Sequence, residues 1–506
     1  DEYQKVIVDF NANILKAAEN YNIIELIETQ VNKSPEAAAI VFKELSLTYN
    51  QLNERANRLA HYFVNRNIGR GSRVAILLKR SPEYVIGVLA ALKTGATFIP
   101  IPSNYPEERI KYLLEDSNAS LLISSTEILK PLNSFDTESV AIDSLDSILE
   151  SLPSSNLSLD ISKDTTAFLI YTSGSTGKPK GVKIMNRALS NYIKWTEETY
   201  INVPSPAIPL FTTVGFDITA NSVFLPLICG GSIHVYQETD LAVDLSILDV
   251  IEDNKVDFIK LTPAHLSFLK EKKYPNSNID VMVVTGDEFK TELGNHIHEA
   301  FDGKLKMYNE YGPAEATIGC IYHKFTSDIE SPSVPIGVPI RNMQVYILDE
   351  DRNAVPQGVT GEIYLAGTGL AGGYWERPDL TTEKFLPNPF SPGSKMYRTQ
   401  DLARLNKDGI IEFLGRTDFQ VKINGHRIEL GEIESQLMAF DSIDGSIVLM
   451  DTKNGLKSLT AYFTANDPIS LPNLQSYLLQ KLPRYMVPSH FKQLNAFPLS
   501  SNGKVD

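Results

Sequence analysis

The sequence predicts an α/β protein: a large N-terminal core on doubly wound sheets, a region of short strands, and a small α+β domain at the C-terminal end. Three observations predict it. Strand-length apolar runs alternate with amphipathic helical stretches through the first half, as parallel sheets covered on both faces require. From about residue 355 the pattern shortens to strands and turns, and past residue 417 a compact αβ alternation returns. A chain of 506 residues also exceeds one ordinary core, so at least two domains are expected.

The first clear element is "LTYNQLNERANRLAHYFVNRNI". Thr48, with Gln51 three residues on, is a capping box, and Leu52, Leu59 and Phe63 fall near one helical face. "SPEYVIGVLAALKTG" starts with Ser81 as cap and Pro82 in the first turn, and Gly95 stops it. The runs "RVAILL", "AFLIYT", "GSIHVY" and "VMVVT" have strand length. Residues 134–164, rich in Ser and Asp, read as a surface excursion. Asp408-Gly409 in "LNKDGIIEF" predicts a tight hairpin. After "GRTD" come a strand and then "GHRIELGEIESQLM" as a helix, opening the smaller domain near 417.

Hydrophobic residues make up 42% of the chain and charged residues 22%, the balance of an ordinary globular protein. A net charge of −15 and a pI of about 5.1 exclude the basic footprint that a nucleic-acid partner needs. A nucleotide substrate asks only for a few local donors. Cys229 and Cys320 are too few for a disulfide framework or a structural zinc site. No apolar run reaches ~18 residues, and the acidic start "DEYQKVIVDF" lacks a signal-peptide pattern. A cytoplasmic protein without membrane or nucleic-acid partners is expected.

"YTSGSTGKPKG", residues 171–181, leaves the strand-like "AFLIYT" where α/β ligands usually bind. Gly174, Gly177 and Gly181 permit positive φ and close backbone approach, as a loop wrapping phosphate oxygens requires. Ser173, Ser175 and Thr176 add hydroxyls, and Lys178 and Lys180 add charge. The spacing Gly-x-x-Gly-Lys-Pro is not a Walker A, because no Ser or Thr follows the lysine. Alone, the loop is also compatible with a flexible Gly/Ser turn.

Further along come "NEYGPAEAT", "GEIYLAGTGLAGGYWERPDLTTEKF", "YRTQDLARL", "GRTDFQVKINGHRIELGEIE" and "LPRYMVPSHFKQLNAFPLSSNGKVD", in that order. With the glycine loop they resemble the core motifs of the adenylate-forming superfamily. More narrowly, the chain from Leu47 to Asp506 resembles an amino-acid-activating adenylation domain of a nonribosomal peptide synthetase. The resemblance implies a core over 1–417, with two doubly wound sheets plus a small barrel-like β region, and a small mobile C-terminal α+β domain over 418–506. It also implies a reaction: an amino acid and ATP give aminoacyl-AMP and pyrophosphate, and the aminoacyl group then passes to the phosphopantetheine thiol of a peptidyl carrier protein. Such a phosphoryl step needs in-line positioning and charge stabilisation more than covalent help.

By the same resemblance Thr172, Ser173, Gly174, Ser175, Thr176, Gly177, Lys178 and Lys180 hold the outer phosphates of ATP, with Thr317 facing them and Gly286 in the same site. Tyr311 stacks on adenine with Asn309 near its exocyclic amine. Asp401 accepts the ribose hydroxyls, Arg416 adds a donor, and Glu315 ligates Mg²⁺, a cation that takes hard oxygen donors. Lys504 in "NGKVD" bridges the substrate carboxylate and the α-phosphate. Asp418 is the hinge. In a second orientation of the small domain the lysine withdraws, and "VKINGHRIELGE", with Gly425, lines the path of the carrier's thiol.

Asp217 in "TTVGFDITANSVFLPL" takes the position that holds the substrate's α-ammonium; its residue-level alternative is a helix N-cap. The implied side-chain pocket is Ile218, Asn221, Lys260, Val283, Thr285, Glu310, Ile318 and Gly319. Lys260 and Glu310 there should face each other or a polar ligand, since a lone buried charge is costly. A carboxamide offers donor and acceptor and could bridge them, and the Lys, Glu and Gly pattern resembles asparagine-activating domains, from which Asn221 and Thr285 depart. A basic side chain on Glu310, an acidic one on Lys260, and an ion pair that only walls the pocket are the alternatives. Rival functions are an acyl- or aryl-CoA ligase and an inactive nucleotide-binding module. No carrier serine follows Asp506, so an excised piece of a longer synthetase is expected, with neighbouring synthetase domains as partners.

Overall fold

A computed structural model describes residues 2–13, 22–174, 177–238, 244–453 and 456–498. The first sheet runs Ser139–Ala141, Leu121–Ser124, Arg73–Leu77, Thr97–Pro100, Thr166–Thr172 and Lys180–Met185. Its first five strands are parallel and the last is antiparallel. A second group orders Leu45–Thr48, Ala38–Phe42, Ser232–Val235 and Ala207–Leu210. A third orders Phe258–Leu261, Val281–Thr285, Lys306–Tyr311, Ile321–Lys324 and Val338–Pro339. The Asp257 amide donates to the Ala207 carbonyl at 3.0 Å and ties these two groups edge to edge.

Helix Tyr49–Val64 carries the capping box read from Thr48 and Gln51. Helix Pro82–Lys93 is capped by Ser81, with Pro82 in its first turn, and Gly95 follows it at φ +74°. Pro82–Lys93 is buried on every face, and Thr219–Cys229 nearly so. Such all-round apolar helices lie inside a protein, and here they share one apolar cluster with residues of both large sheets.

Antiparallel strands Met343–Leu348, Gly361–Gly367, Lys395–Leu405 and Phe385–Pro387, with Ile411–Arg416 on Lys395–Leu405, form the half-barrel region. Leu405 pairs with Ile411 across the Asp408-Gly409 turn, where Gly409 has φ +77°. Beyond it, residues from Ile423 to Met486 make an apolar cluster of their own. They belong to the hairpin Gln420–Ile423/His426–Glu429, helices Leu430–Met438 and Leu471–Lys481, and a three-stranded sheet of Gly445–Lys453, Leu456–Thr464 and His490–Leu494.

Two local expectations change. The helix read over "GHRIELGEIESQLM" begins only at Leu430. Asn424 and Gly425, at φ +53° and +83°, instead turn a two-residue hairpin, the geometry that Asn-Gly favours. Residues 134–164 are more than a surface excursion: Ser139–Ala141 adds an edge strand, and Ile142 and Leu145 are buried.

Candidate active site

The glycine loop connects Thr166–Thr172 to Lys180–Met185. Gly177 alone of its three glycines has a left-handed φ, +82°. Gly174 and Gly181 answer to crowding instead: a Cβ on Gly174 would overlap the Lys178 carbonyl, and one on Gly181 would lie 3.2 Å from the Tyr171 ring. Ser175 and Thr176 lie outside the described residues. Lys178 lies 5.8 Å from the centre of the Tyr112 ring. Lys180 is buried 3.9 Å from Glu315, and burial together with Arg427 lowers its pKa to about 8.

Glu315 is fully buried in the turn Ala314–Ala316. Tyr374 Oη donates to its Oε1 at 2.7 Å and Arg427 Nη1 to its Oε2 at 2.7 Å. Burial pushes this carboxyl up, but Arg427, Lys180 and the Tyr374 hydroxyl prevail and hold it at about 2. Thr317 and Ile318 follow with φ +56° and +71°, strain that β-branched residues adopt only where the surroundings impose it. Oγ1 of Thr317 and Oγ1 of Thr172 are buried without a hydrogen-bond partner among the described residues. Orphaned hydroxyls of this kind suit an oxygen-rich ligand. The Glu315 carboxylate and the two hydroxyls are hard oxygen donors of the kind Mg²⁺ takes alongside substrate phosphates, although Arg427 occupies Glu315 Oε2 here.

At the end expected to take the nucleotide, the Tyr311 hydroxyl donates to Oδ2 of Asp401, and Arg416 bonds Oδ1. Arg416 also donates to both carboxylate oxygens of Asp418 at 2.6 and 2.7 Å. Asp418 and Asp401, expected as hinge and ribose carboxylate, thus share one guanidinium. Asn309 spends its Nδ2 on the carbonyls of Val334 and Pro335 at 2.9 and 3.0 Å. Lys422 Nζ lies over the Tyr311 ring, 5.8 Å from its centre.

The pocket residues converge through strand register. Lys260 pairs with Val283, and Thr285 with Glu310; since residues two apart on a strand face the same way, all four share one face. Lys260 binds Glu310 Oε1, donates to Tyr192 Oη at 2.5 Å and reaches Asn221 Oδ1 at 3.4 Å. Tyr192 Oη is 2.9 Å from both Glu310 Oε1 and Asn221 Oδ1, and Tyr200 Oη donates to Glu310 Oε2 at 2.9 Å. A Cβ on Gly319 would overlap the Glu310 carboxylate, so glycine is what admits that side chain. Ile318 is buried beside it. Asn221 Nδ2 is buried with no partner among the described residues.

Asp217 does not cap the helix Thr219–Cys229, which starts without a side-chain cap. No described cation pairs with it; burial pushes its pKa up to about 6 against the opposing pull of Lys260. It also lines a small apolar cavity with Phe98, Phe168, Val214 and Phe216.

The small domain lies on this site. Ser173 Oγ donates to the Arg427 carbonyl at 2.9 Å and accepts from the Glu429 amide at 3.2 Å. Glu432 accepts from the Gly174 amide at 3.3 Å and pairs with buried Arg109 at 2.8 Å. Gly425 meets Thr262 and Gly286, and His426 stacks on Tyr485 beside Phe216. Arg109, Glu432, Arg427, Tyr192 and Tyr200 are the site residues that the sequence reading omits. Lys504 lies outside the described residues.

A family model described as "AMP-binding enzyme" matches residues 27–375. The chain belongs to the AMP-binding enzyme family. Its likeness within that family is to the adenylation regions of nonribosomal peptide synthetases. It is 44% identical over 489 residues to bacitracin synthase 3 of Bacillus licheniformis, which is 96% of this chain and 8% of that protein. It is 40% identical over 508 residues to tyrocidine synthase 3 of Brevibacillus parabrevis, 100% of this chain and 8% of that protein. The chain therefore spans a small share of these synthetases. A four-domain nonribosomal peptide synthetase solved with AMP and glycine bound matches with TM-score 0.72 and 29% identity, over 100% of this chain and 37% of that one. No helix among the described residues is long and apolar enough to cross a membrane.

Proposed function

We propose that this chain activates an amino acid with ATP and passes the aminoacyl group to a carrier protein's phosphopantetheine thiol, in the cytoplasm, as one unit of a longer peptide synthetase. The substrate carboxylate oxygen bonds to the α-phosphorus as the bond to pyrophosphate breaks. The thiol then displaces AMP, its proton going to solvent. One observation carries the amino-acid reading: Asp217 is a half-buried carboxylate, its pKa pushed up to about 6, that makes no ion pair among the described residues. A carboxylate withdrawn from water calls for a counter-charge, and a substrate α-ammonium supplies it.

Glycine-loop amides and hydroxyls, with Lys180, hold the outer phosphates. Mg²⁺, when bound at Glu315, neutralises phosphate charge. Tyr311 and Asn309 take the base, and Asp401 the ribose. The contacts of Gly425 with Thr262 and Gly286 support the thiol-accepting orientation of the small domain; Lys504 is assigned to the other. On this reading the core ends at 417, and Asp418 is the hinge.

The preferred side chain is a carboxamide. Asn221 keeps one amide group free, and a substrate amide can complement it whichever way the two are turned. A basic side chain finds Glu310 already holding Lys260, Tyr192 and Tyr200. The test is ATP–pyrophosphate exchange across polar, basic and acidic amino acids. Exchange led by asparagine is the expected result, and transfer only to free CoA with a plain acid would overturn the reading. Lys504→Ala should abolish exchange while sparing thiolation from supplied aminoacyl-AMP; equal loss of both refutes its role.

A further inference from the structure

The residues from which the pocket is read leave out two neutral groups that bind its charged pair. Tyr192 and Tyr200 lie on the helix Asn186–Tyr200, and both are buried. The helix is fixed by ring contacts: Trp195 meets Tyr192 at 6.1 Å and Tyr200 at 5.0 Å, and Tyr200 packs on Tyr308 at 4.8 Å. These contacts aim two phenol hydroxyls at one carboxylate.

Counting protons shows what they do there. A lysine ammonium has three, and a phenol has one. The protons of Lys260 go to Glu310 Oε1, Tyr192 Oη and Asn221 Oδ1. The Tyr192 proton is shared between Glu310 Oε1 and Asn221 Oδ1, both at 2.9 Å, and the Tyr200 proton goes to Oε2. Every proton is committed, and each carboxylate oxygen is served. Burial and Glu310 raise both phenol pKa values well above the ordinary one, so neither tyrosine adds a charge. The cluster is a closed, neutral wall, and Asn221 Nδ2 is its remaining unmatched group.

We propose that Tyr192 and Tyr200 are specificity-determining residues: they occupy Glu310 and Lys260, so the pocket rejects charged side chains and keeps an uncharged polar one. The inference rests on the proposed amino-acid activation. Without the Tyr200 hydroxyl, Glu310 Oε2 is an acceptor with no donor. A substrate ammonium can supply one. Without the Tyr192 hydroxyl, Lys260 loses an acceptor, and a substrate carboxylate can supply it. Sites built around hydrogen bonds discriminate strongly because an unmatched buried group is costly.

The experiment compares pyrophosphate exchange of the parent chain, Tyr200→Phe and Tyr192→Phe with asparagine, ornithine and aspartate. Phenylalanine retains the ring packing, and thermal melting checks that each variant folds. Tyr200→Phe should raise the ornithine-to-asparagine ratio of kcat/KM by about tenfold, through KM for the amino acid, with KM for ATP unmoved. Tyr192→Phe should raise the aspartate-to-asparagine ratio by about tenfold. A purely structural role for the tyrosines would lower all substrates together and leave both ratios alone; folded variants with parental ratios overturn the proposal. Should one variant fail to fold, the ratio in the other decides. A parent chain that exchanges with no amino acid overturns instead the activity on which the proposal stands.

Discussion

Arg109 of the core and Glu432 of the small domain, 323 positions apart, meet at 2.8 Å with both side chains buried. The second oxygen of Glu432 accepts from the Gly174 amide. A carboxylate thus rests on the loop assigned to the phosphates, where it and a triphosphate exclude one another.

Removing one partner of a buried ion pair costs roughly 3–5 kcal/mol, because the other charge is stranded. Here that cost falls on docking of the small domain. Glu432→Gln should slow carrier thiolation at least tenfold, reduce pyrophosphate exchange far less, and speed tryptic cleavage near residue 418. Unchanged cleavage and thiolation would show that the pair does not hold the domain.

Desolvation pushes the Asp217 carboxyl up to about 6, above the ordinary carboxylate value. It must be ionised to hold an ammonium. KM for the amino acid should therefore rise about tenfold per pH unit below 6, while KM for ATP stays flat. Asp217→Asn should remove that dependence and raise KM by about 10–100-fold, the range of a charge-assisted hydrogen bond. A flat amino-acid KM between pH 5 and 7 in the parent chain excludes the role.

Glu315 is held at about 2, where a glutamate ordinarily titrates near 4.5. The folded-state value is depressed, so its contribution, about 3 kcal/mol by linkage, is complete above pH 4.5 and fades as pH falls toward 2. Urea unfolding of Glu315→Gln should show a shallower acid dependence in that window than the parent. The same variant should lose exchange by about 100-fold and need more Mg²⁺ for what remains. An identical Mg²⁺ requirement would remove Glu315 from the metal site.

Gly425 has φ +83°, and a Cβ there would lie 2.5 Å from Thr262 Cγ2. Gly425→Ala adds about 1–2 kcal/mol of left-handed strain to that clash. Thiolation should fall sharply while exchange persists; parallel loss of both would place Gly425 elsewhere in the cycle.

Local signals read well from the sequence because their causes are local. Thr48 and Gln51 cap the helix they announce, and Ser81, Pro82 and Gly95 bound theirs. The Asn424-Gly425 turn has an equally local signal, but the helical periodicity of "RIELGEIESQLM" masks it. Site residues fixed by motif, such as Glu315 and Asp401, stand out by their fixed spacing. Tyr192 and Tyr200 do not. They look like core aromatics on an amphipathic helix, and only packing carries them to Glu310, 118 and 110 positions away. Arg109 and Glu432 are hidden likewise in stretches of alternating charge.

The grip of the small domain on Ser173 ends on main-chain atoms, the Arg427 carbonyl and the Glu429 amide. Backbone groups are common to all sequences, so a transplanted hairpin of different composition would find the same two anchors. Chimeras spliced at the Asp418 joint that keep a glutamate at 432 should consequently seat their borrowed part in the parental geometry, which makes that joint a practical seam for recombining such units.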